Sequence, residues 1–133
     1  MQREASQKQF QKHFDVSASN IEVASLDEKL IKRAIEVVEQ NITEADFSIE
    51  DLSQELGMSR VYLYKKLVSL TGKSPLDFVK SIRLQQAAQL LVKSDLNVSE
   101  VAYRVGFNNP KYFAKCFKEE YNVLPSAYAS SKK

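Results

Sequence analysis

Two stretches of this chain match when one is slid along the other, and that match limits the fold more than any other feature. SIEDLSQELGMSRVYLYKKLVSLTGKSPLDF runs from Ser48 to Phe78, and NVSEVAYRVGFNNPKYFAKCFKEEYNVLPSAY runs from Asn97 to Tyr128. At an offset of 49, Ile49, Leu52, Leu56 and Gly57 fall on Val98, Val101, Val105 and Gly106. The second turn is one residue longer, so Leu63, Leu67, Pro75 and Phe78 fall on Phe113, Phe117, Pro125 and Tyr128 at an offset of 50. Each copy reads as a short helix, a glycine turn and a second helix.

Start and stop signals divide the rest of the chain in the same way. Ser25 with Glu28, Ser48 with Asp51, and Asn97 with Glu100 have the spacing of helix N-terminal boxes. Ser74-Pro75 and Asn109-Pro110 each set a capping residue before a proline at the first helical position. Gly57 and Gly106 can adopt the positive φ that ends a helix. Apolar residues recur at helical spacing through Leu30, Ile31, Ala34, Val37 and Val38. These signals predict helices at 26–41, 48–56, 59–71, 75–93, 98–105, 110–121 and 125–130. Nothing alternates as a strand does, and three Gly and three Pro in 133 residues leave little room for long loops. The expected fold is all-α: seven helices forming two helix-turn-helix subdomains, at about 48–71 and 98–121, joined by a long linker helix at 75–93. Residues 1–24 read as a polar arm, with a helix expected in QREASQKQFQKHF and no strong heptad seam; the folded domain takes 25–133.

Function is read from the outer faces of the second helices. At 100° per residue Leu63, Leu67 and Leu70 share the core side of helix 59–71. The opposite side carries Val61, Tyr64, Lys65 and Val68, with Arg60 and Tyr62 on its flanks. Exposed Val and Tyr beside cations suit a major groove, where a thymine methyl takes apolar contact and guanine accepts from a cation. In the second copy the matching face is Lys111, Ala114, Lys115 and Lys118, with Phe113 and Phe117 turned inward; a small Ala at the centre permits close approach to bases. The charge distribution agrees. Residues 1–58 hold 6 Lys/Arg against 12 Asp/Glu, a balance of −6, whereas residues 59–133 hold 13 against 5, a balance of +8. A basic half points to a polyanion.

Helix 75–93 is apolar on more than one side, through Leu76, Phe78, Val79, Ile82, Leu84, Ala87, Ala88, Leu90, Leu91 and Val92, and is expected to pack against both copies. At 1.5 Å per residue it spans about 28 Å. Such a strut suits two reading helices about 34 Å apart, one turn of DNA.

These residues resemble the AraC/XylS type of transcription regulators over about Leu26 to Tyr128. The most specific part is Arg83, Ala87, Leu90-Leu91, Val98, Val101-Ala102, Val105-Gly106-Phe107, Phe113, Phe117-Lys118, and Pro125 with Tyr128. The resemblance implies a sequence-specific double-stranded DNA binder that regulates transcription, mostly as an activator, with 59–71 and 110–121 inserted in successive major grooves. It maps base-facing roles to Arg60, Val61, Tyr64 and Lys65, and to Lys111, Tyr112, Ala114 and Lys115; Tyr112 is added by the resemblance alone. Ser59 and Asn109, as N-caps, would present backbone N–H groups to phosphates. Two positions depart from the family pattern. Asn122 stands where the family usually has Gly, and Ala129 follows Tyr128 where the family often has Arg, so no phosphate contact is carried over there.

The segment VSASNIEVASLDEKLIKRAIEVVEQNI resembles the stretch that joins a receiver domain to this domain in hybrid two-component regulators of Bacteroides-type bacteria. That resemblance implies a fragment beginning at Met1, cut from a longer, inner-membrane-anchored protein with a sensor and histidine kinase that responds to a nutrient, often a glycan. A second copy joined through upstream domains, and RNA polymerase, are further partners under the same reading.

Other chemistry finds no support in the residues. His13 sits alone in the arm, far from Cys116, and no His/Cys cluster has metal-ligand spacing. Glu36, Glu39, Glu50 and Asp51 read as exposed faces and caps. Cys116, aligned with Lys66 beside the core face, is expected to be half-buried. No catalytic residue, metal or cofactor is expected, nor any membrane contact by this stretch, and one cysteine fits a cytoplasmic location. The rival reading is an all-helical protein–protein module whose basic face meets an acidic partner; it predicts weak, sequence-blind DNA binding.

Overall fold

The computed structural model describes residues 18–132, and the side chains of 25–132. Seven helices and no strand appear among the described residues: α1 (Ala18–Gln40), α2 (Ile49–Glu55), α3 (Arg60–Thr71), α4 (Pro75–Lys93), α5 (Val98–Arg104), α6 (Pro110–Tyr121) and α7 (Pro125–Lys132). The all-α expectation holds. The helix expected in QREASQKQFQKHF, and His13, lie outside the described residues.

One expected boundary is wrong. The first helix starts at Ala18, so Ser25 and Glu28 lie inside it rather than at its cap. No Gly or Pro stands between Ala18 and Ser25 to break the helix, and a serine inside a helix costs only about 0.5 kcal/mol relative to alanine. The other two boxes form as expected. Ser48 Oγ accepts from Asp51 N–H at 3.0 Å while Asp51 Oδ2 accepts from Ser48 N–H at 2.9 Å. Asn97 and Glu100 make the same reciprocal pair, both bonds at 2.8 Å.

The chain divides into two compact units, residues 18–38 with 48–78 and residues 39–47 with 79–132. In the first unit α2 packs on α3, and Ala34, Val37, Val38, Leu52, Leu63, Leu67 and Phe78 are buried. The second has α5 against α6 and α6 against α7. Its core joins Leu84, Ala87 and Leu91 of α4 to Val101, Ala102 and Val105, and to Phe107, Phe113, Cys116 and Phe117. Helix α4 begins in the first unit and continues through the second. Its apolar residues are not all interior, as the sequence suggested: Leu76 is 67% exposed.

The repeat is visible down to single hydrogen bonds. Met58 N–H reaches Ser53 O at 3.0 Å across Gly57, and Phe107 N–H reaches Ala102 O at 2.9 Å across Gly106. These are the bonds by which a glycine in the left-handed conformation closes a helix end, and the two glycines have φ of 69° and 90°. Two residues then separate Leu56 from the N-cap Ser59, and three separate Val105 from the N-cap Asn109. Both second helices end in the left-handed conformation, at Gly72 with φ 75° and Asn122 with φ 64°.

Arg83 organises the second unit. Its side chain is buried, and Nη1 donates to Ile42 O at 2.7 Å and Val105 O at 2.8 Å, while Nη2 donates to Glu44 O at 3.0 Å. Val105 is the C-cap of α5, so the guanidinium meets the negative end of that helix. Burial lowers the pKa of Arg83, yet a guanidinium starts so high that it stays charged. The groups fill the space beside Gly106, where a Cβ would overlap Arg83 and stand 2.5 Å from Ile42 O.

Candidate nucleic-acid interface

The first candidate surface is built on α3. Leu63 and Leu67 point into the first unit and are fully buried. The helical period therefore turns Val61, Tyr64, Lys65 and Val68 outward, and all four are exposed, as are Arg60 and Tyr62. Val61 is 66% exposed and Tyr64 53%, far more than such residues show when packing alone sets their position. Ser59 caps the helix by accepting from Tyr62 N–H at 3.1 Å.

The three cations of α3 are not equivalent. Lys66 donates to Asp27 of α1 at 2.9 Å, and both side chains are largely covered. That hydrogen bond, followed by the opposing cost of burial and the attraction of the carboxylate, raises the pKa of Lys66. Lys66 is thus a tether inside the first unit. Arg60 lies 3.9 Å from Glu50, with both side chains more than half exposed; such a pair is screened by water and readily exchanged for another anion. Lys65 is in no ion pair among the described residues.

The second surface is built on α6. Phe113 and Phe117 are fully buried, as expected from the repeat. Cys116 is 3% exposed rather than half-buried; it joins the phenylalanines in the second unit's core, which the charged Lys66 could not do in its place. Lys111, Lys115 and Lys118 are exposed and Ala114 is partly covered. Tyr112 is half exposed, with its ring centroid 6.1 Å from that of Phe107, and the adjoining Cys116 thiol raises the pKa of its phenol.

The start of α6 corrects one expectation. Asn109 Oδ1 accepts from both Lys111 N–H at 3.0 Å and Tyr112 N–H at 3.1 Å, and Pro110 has no N–H to give. The first-turn donors are therefore engaged, and Asn109 acts as a cap rather than as a presenter of free backbone N–H groups. Ser59 engages only Tyr62 N–H, so the first turn of α3 better fits a phosphate.

No described helix is long and apolar enough to cross a membrane, and no cluster of His, Cys, Asp or Glu among the described residues could hold a metal ion. The surfaces offer cations, apolar side chains and helix ends. Both combine exposed cations with a first helical turn that carries no acid.

Comparison with known proteins agrees with that geometry. Residues 52–131 match a family described as a helix-turn-helix domain. The chain is 43% identical over 113 residues to histidine kinase P4 of Formosa agariphila, across 85% of this chain and 8% of that protein. It is 36% identical over 114 residues to the HTH-type transcriptional regulator MtrA of Neisseria gonorrhoeae, across 86% of this chain and 37% of that one. It therefore spans well under half of either relative. Among solved structures, the DNA-binding domain of the global transcriptional factor AdpA in complex with a target DNA is similar at a TM-score of 0.68 and 32% identity, over 79% of this chain and 90% of that chain.

Proposed function

The chain belongs to the AraC-type helix-turn-helix family of transcription regulators, and from that premise we propose that it binds a specific double-stranded DNA site through α3 and α6. The observation that carries this reading is the outer face of α3. Val61 and Tyr64 stand exposed between Arg60 and Lys65, and that mixture matches the methyl groups and acceptors of a major groove. Arg60, Val61, Tyr62, Tyr64 and Lys65 read the first part of the site, with Ser59 at a phosphate. Lys111, Tyr112, Ala114, Lys115 and Lys118 serve the second part, with Asn109 fixing the start of α6. One helix enters each of two successive major grooves, which sets a site of roughly 15–20 base pairs.

The wider role follows the same relatives. The domain is the output end of a longer two-component protein that activates transcription, supported by the identity with histidine kinase P4. Kinase activity, contact with RNA polymerase, pairing of two copies and membrane anchoring belong to that longer protein.

Selection of bound duplexes from a random pool tests the reading. Enrichment of one asymmetric motif is expected, with affinity falling on the order of a thousandfold between about 50 and 200 mM salt if six or more phosphates are neutralised. A pool that never converges would return the chain to the rival, a basic protein-binding module.

A further inference from the structure

Resting on that DNA-reading assignment, we propose that Leu76, which lies outside the recognition helix, is a specificity-determining residue that closes a seat for the 5-methyl group of a thymine. A surface depression of the first unit is lined by α3 together with residues from α2 and α4. Val61 and Tyr64 of α3, Ile49 of α2 and Leu76 of α4 supply the apolar lining, and Arg60 and Lys65 stand on its rim.

Leu76 is out of place for a core residue. It sits in the first turn of α4, two residues before the buried Phe78, and its side chain is 67% exposed. With Val61 and Tyr64 it makes a contiguous exposed apolar surface. The rim decides which partner suits it. Two cations beside an apolar floor complement a ligand that is anionic at its edge and apolar at one inner point. Duplex DNA meets that description where a thymine faces the major groove, because only thymine carries a methyl group there.

The second unit lacks the seat. The positions matching Val61, Tyr64 and Leu76 are Lys111, Ala114 and Ser126, none of them a large apolar residue. The methyl requirement therefore falls in the half of the site read by α3.

The test replaces each thymine of the selected site in turn by uracil, which removes only the methyl, and measures affinity for the unaltered 133-residue chain and for Leu76→Ala. At one thymine in the α3 half, uracil should weaken the unaltered chain about fourfold, the effect of one buried methyl. Leu76→Ala should weaken binding to the thymine duplex by a similar factor and show no further loss with uracil. Leu76→Met, which restores apolar volume, should recover the uracil sensitivity, and Lys65→Ala should keep it. Independent losses for Leu76→Ala and uracil, or an α3 half with no uracil-sensitive thymine, would overturn the proposal while leaving DNA reading intact. Failure of the unaltered chain to select any site would overturn both. Because Leu76 is exposed, its variants should melt with the parent, which separates a lost contact from a lost fold.

Discussion

Helices α3 and α6 hold the same place in their units, yet each spends its large apolar side chains differently. Helix α6 turns them inward. Phe117 stacks on Tyr121 with centroids 4.5 Å apart and meets Tyr128 edge-on at 5.3 Å, while Phe113 meets Phe107 at 5.2 Å. Its outer face is left mainly to lysines, with Ala114 and the half-exposed Tyr112 among them. Helix α3 fully buries only Leu63 and Leu67 within its own length, and carries Val61, Tyr62, Tyr64 and Val68 outside. A buried thiol, Cys116, stands where α3 has Lys66 tethered to Asp27. One backbone unit can thus be anchored by aromatic packing and present charge, or be anchored more lightly and present shape. The first arrangement suits affinity that ignores sequence, and the second suits discrimination between bases.

The sharpest way to break this comparison is at the paired glycines. Gly106→Ala should cost on the order of 4 kcal/mol in urea unfolding, because a left-handed non-glycine is strained and its Cβ has no space. Gly57→Ala should cost only about 1–2 kcal/mol, since nothing lies within 4 Å of its Cβ position. Equal costs would mean that Arg83 moves aside freely. A second contrast concerns DNA. Lys65→Ala and Lys115→Ala should each cost about 1–3 kcal/mol of binding if they read bases. Selection on each variant should then relax a different half of the site, and a uniform loss over all sequences would make both mere phosphate contacts.

A smaller effect separates the tether from the buried thiol. Lys66→Met should cost about 1 kcal/mol of stability at neutral pH. The raised pKa means that the folded chain holds the proton more tightly than the unfolded one. This contribution is therefore complete below the ordinary lysine value of 10.5 and is lost as pH rises through the higher folded value. Unfolding measured at pH 7 and again at strongly alkaline pH should show the gap between parent and variant closing. Smallest of all, Asn122→Gly should stabilise the chain by about 0.5 kcal/mol by relieving a left-handed asparagine, and Gly72→Asn should do the reverse. Thermal melts of the two variants shifting in the same direction would break the equivalence of the two helix ends.

Most helix boundaries were legible because they are local: a capping side chain, a glycine and a proline act within four residues of where they stand. The same locality misled at Ser25, where box spacing occurs inside a continuing helix. Val61, Tyr64 and Lys65 could be found because one helix's period separates its faces. Leu76 could not, since its exposure depends on where α4 begins relative to α3, and no period within α4 encodes that. Lys66 could be set beside the core face of its helix, but its partner could not be named, because Asp27 lies 39 residues away. Arg83 was marked by the family pattern, but nothing near it in sequence names its acceptors.

Those acceptors give the Arg83 arrangement an unusual tolerance. All three are main-chain carbonyls, at Ile42, Glu44 and Val105, and every amino acid carries one. Replacing any of those side chains leaves the acceptor in place, so drift at 42, 44 and 105 need not disturb the join. There is no carboxylate to protonate and no partner charge to lose, so acid that loosens ordinary ion pairs leaves it untouched. Its fragility is confined to two positions: the donor at 83, and the glycine at 106 that makes room for it.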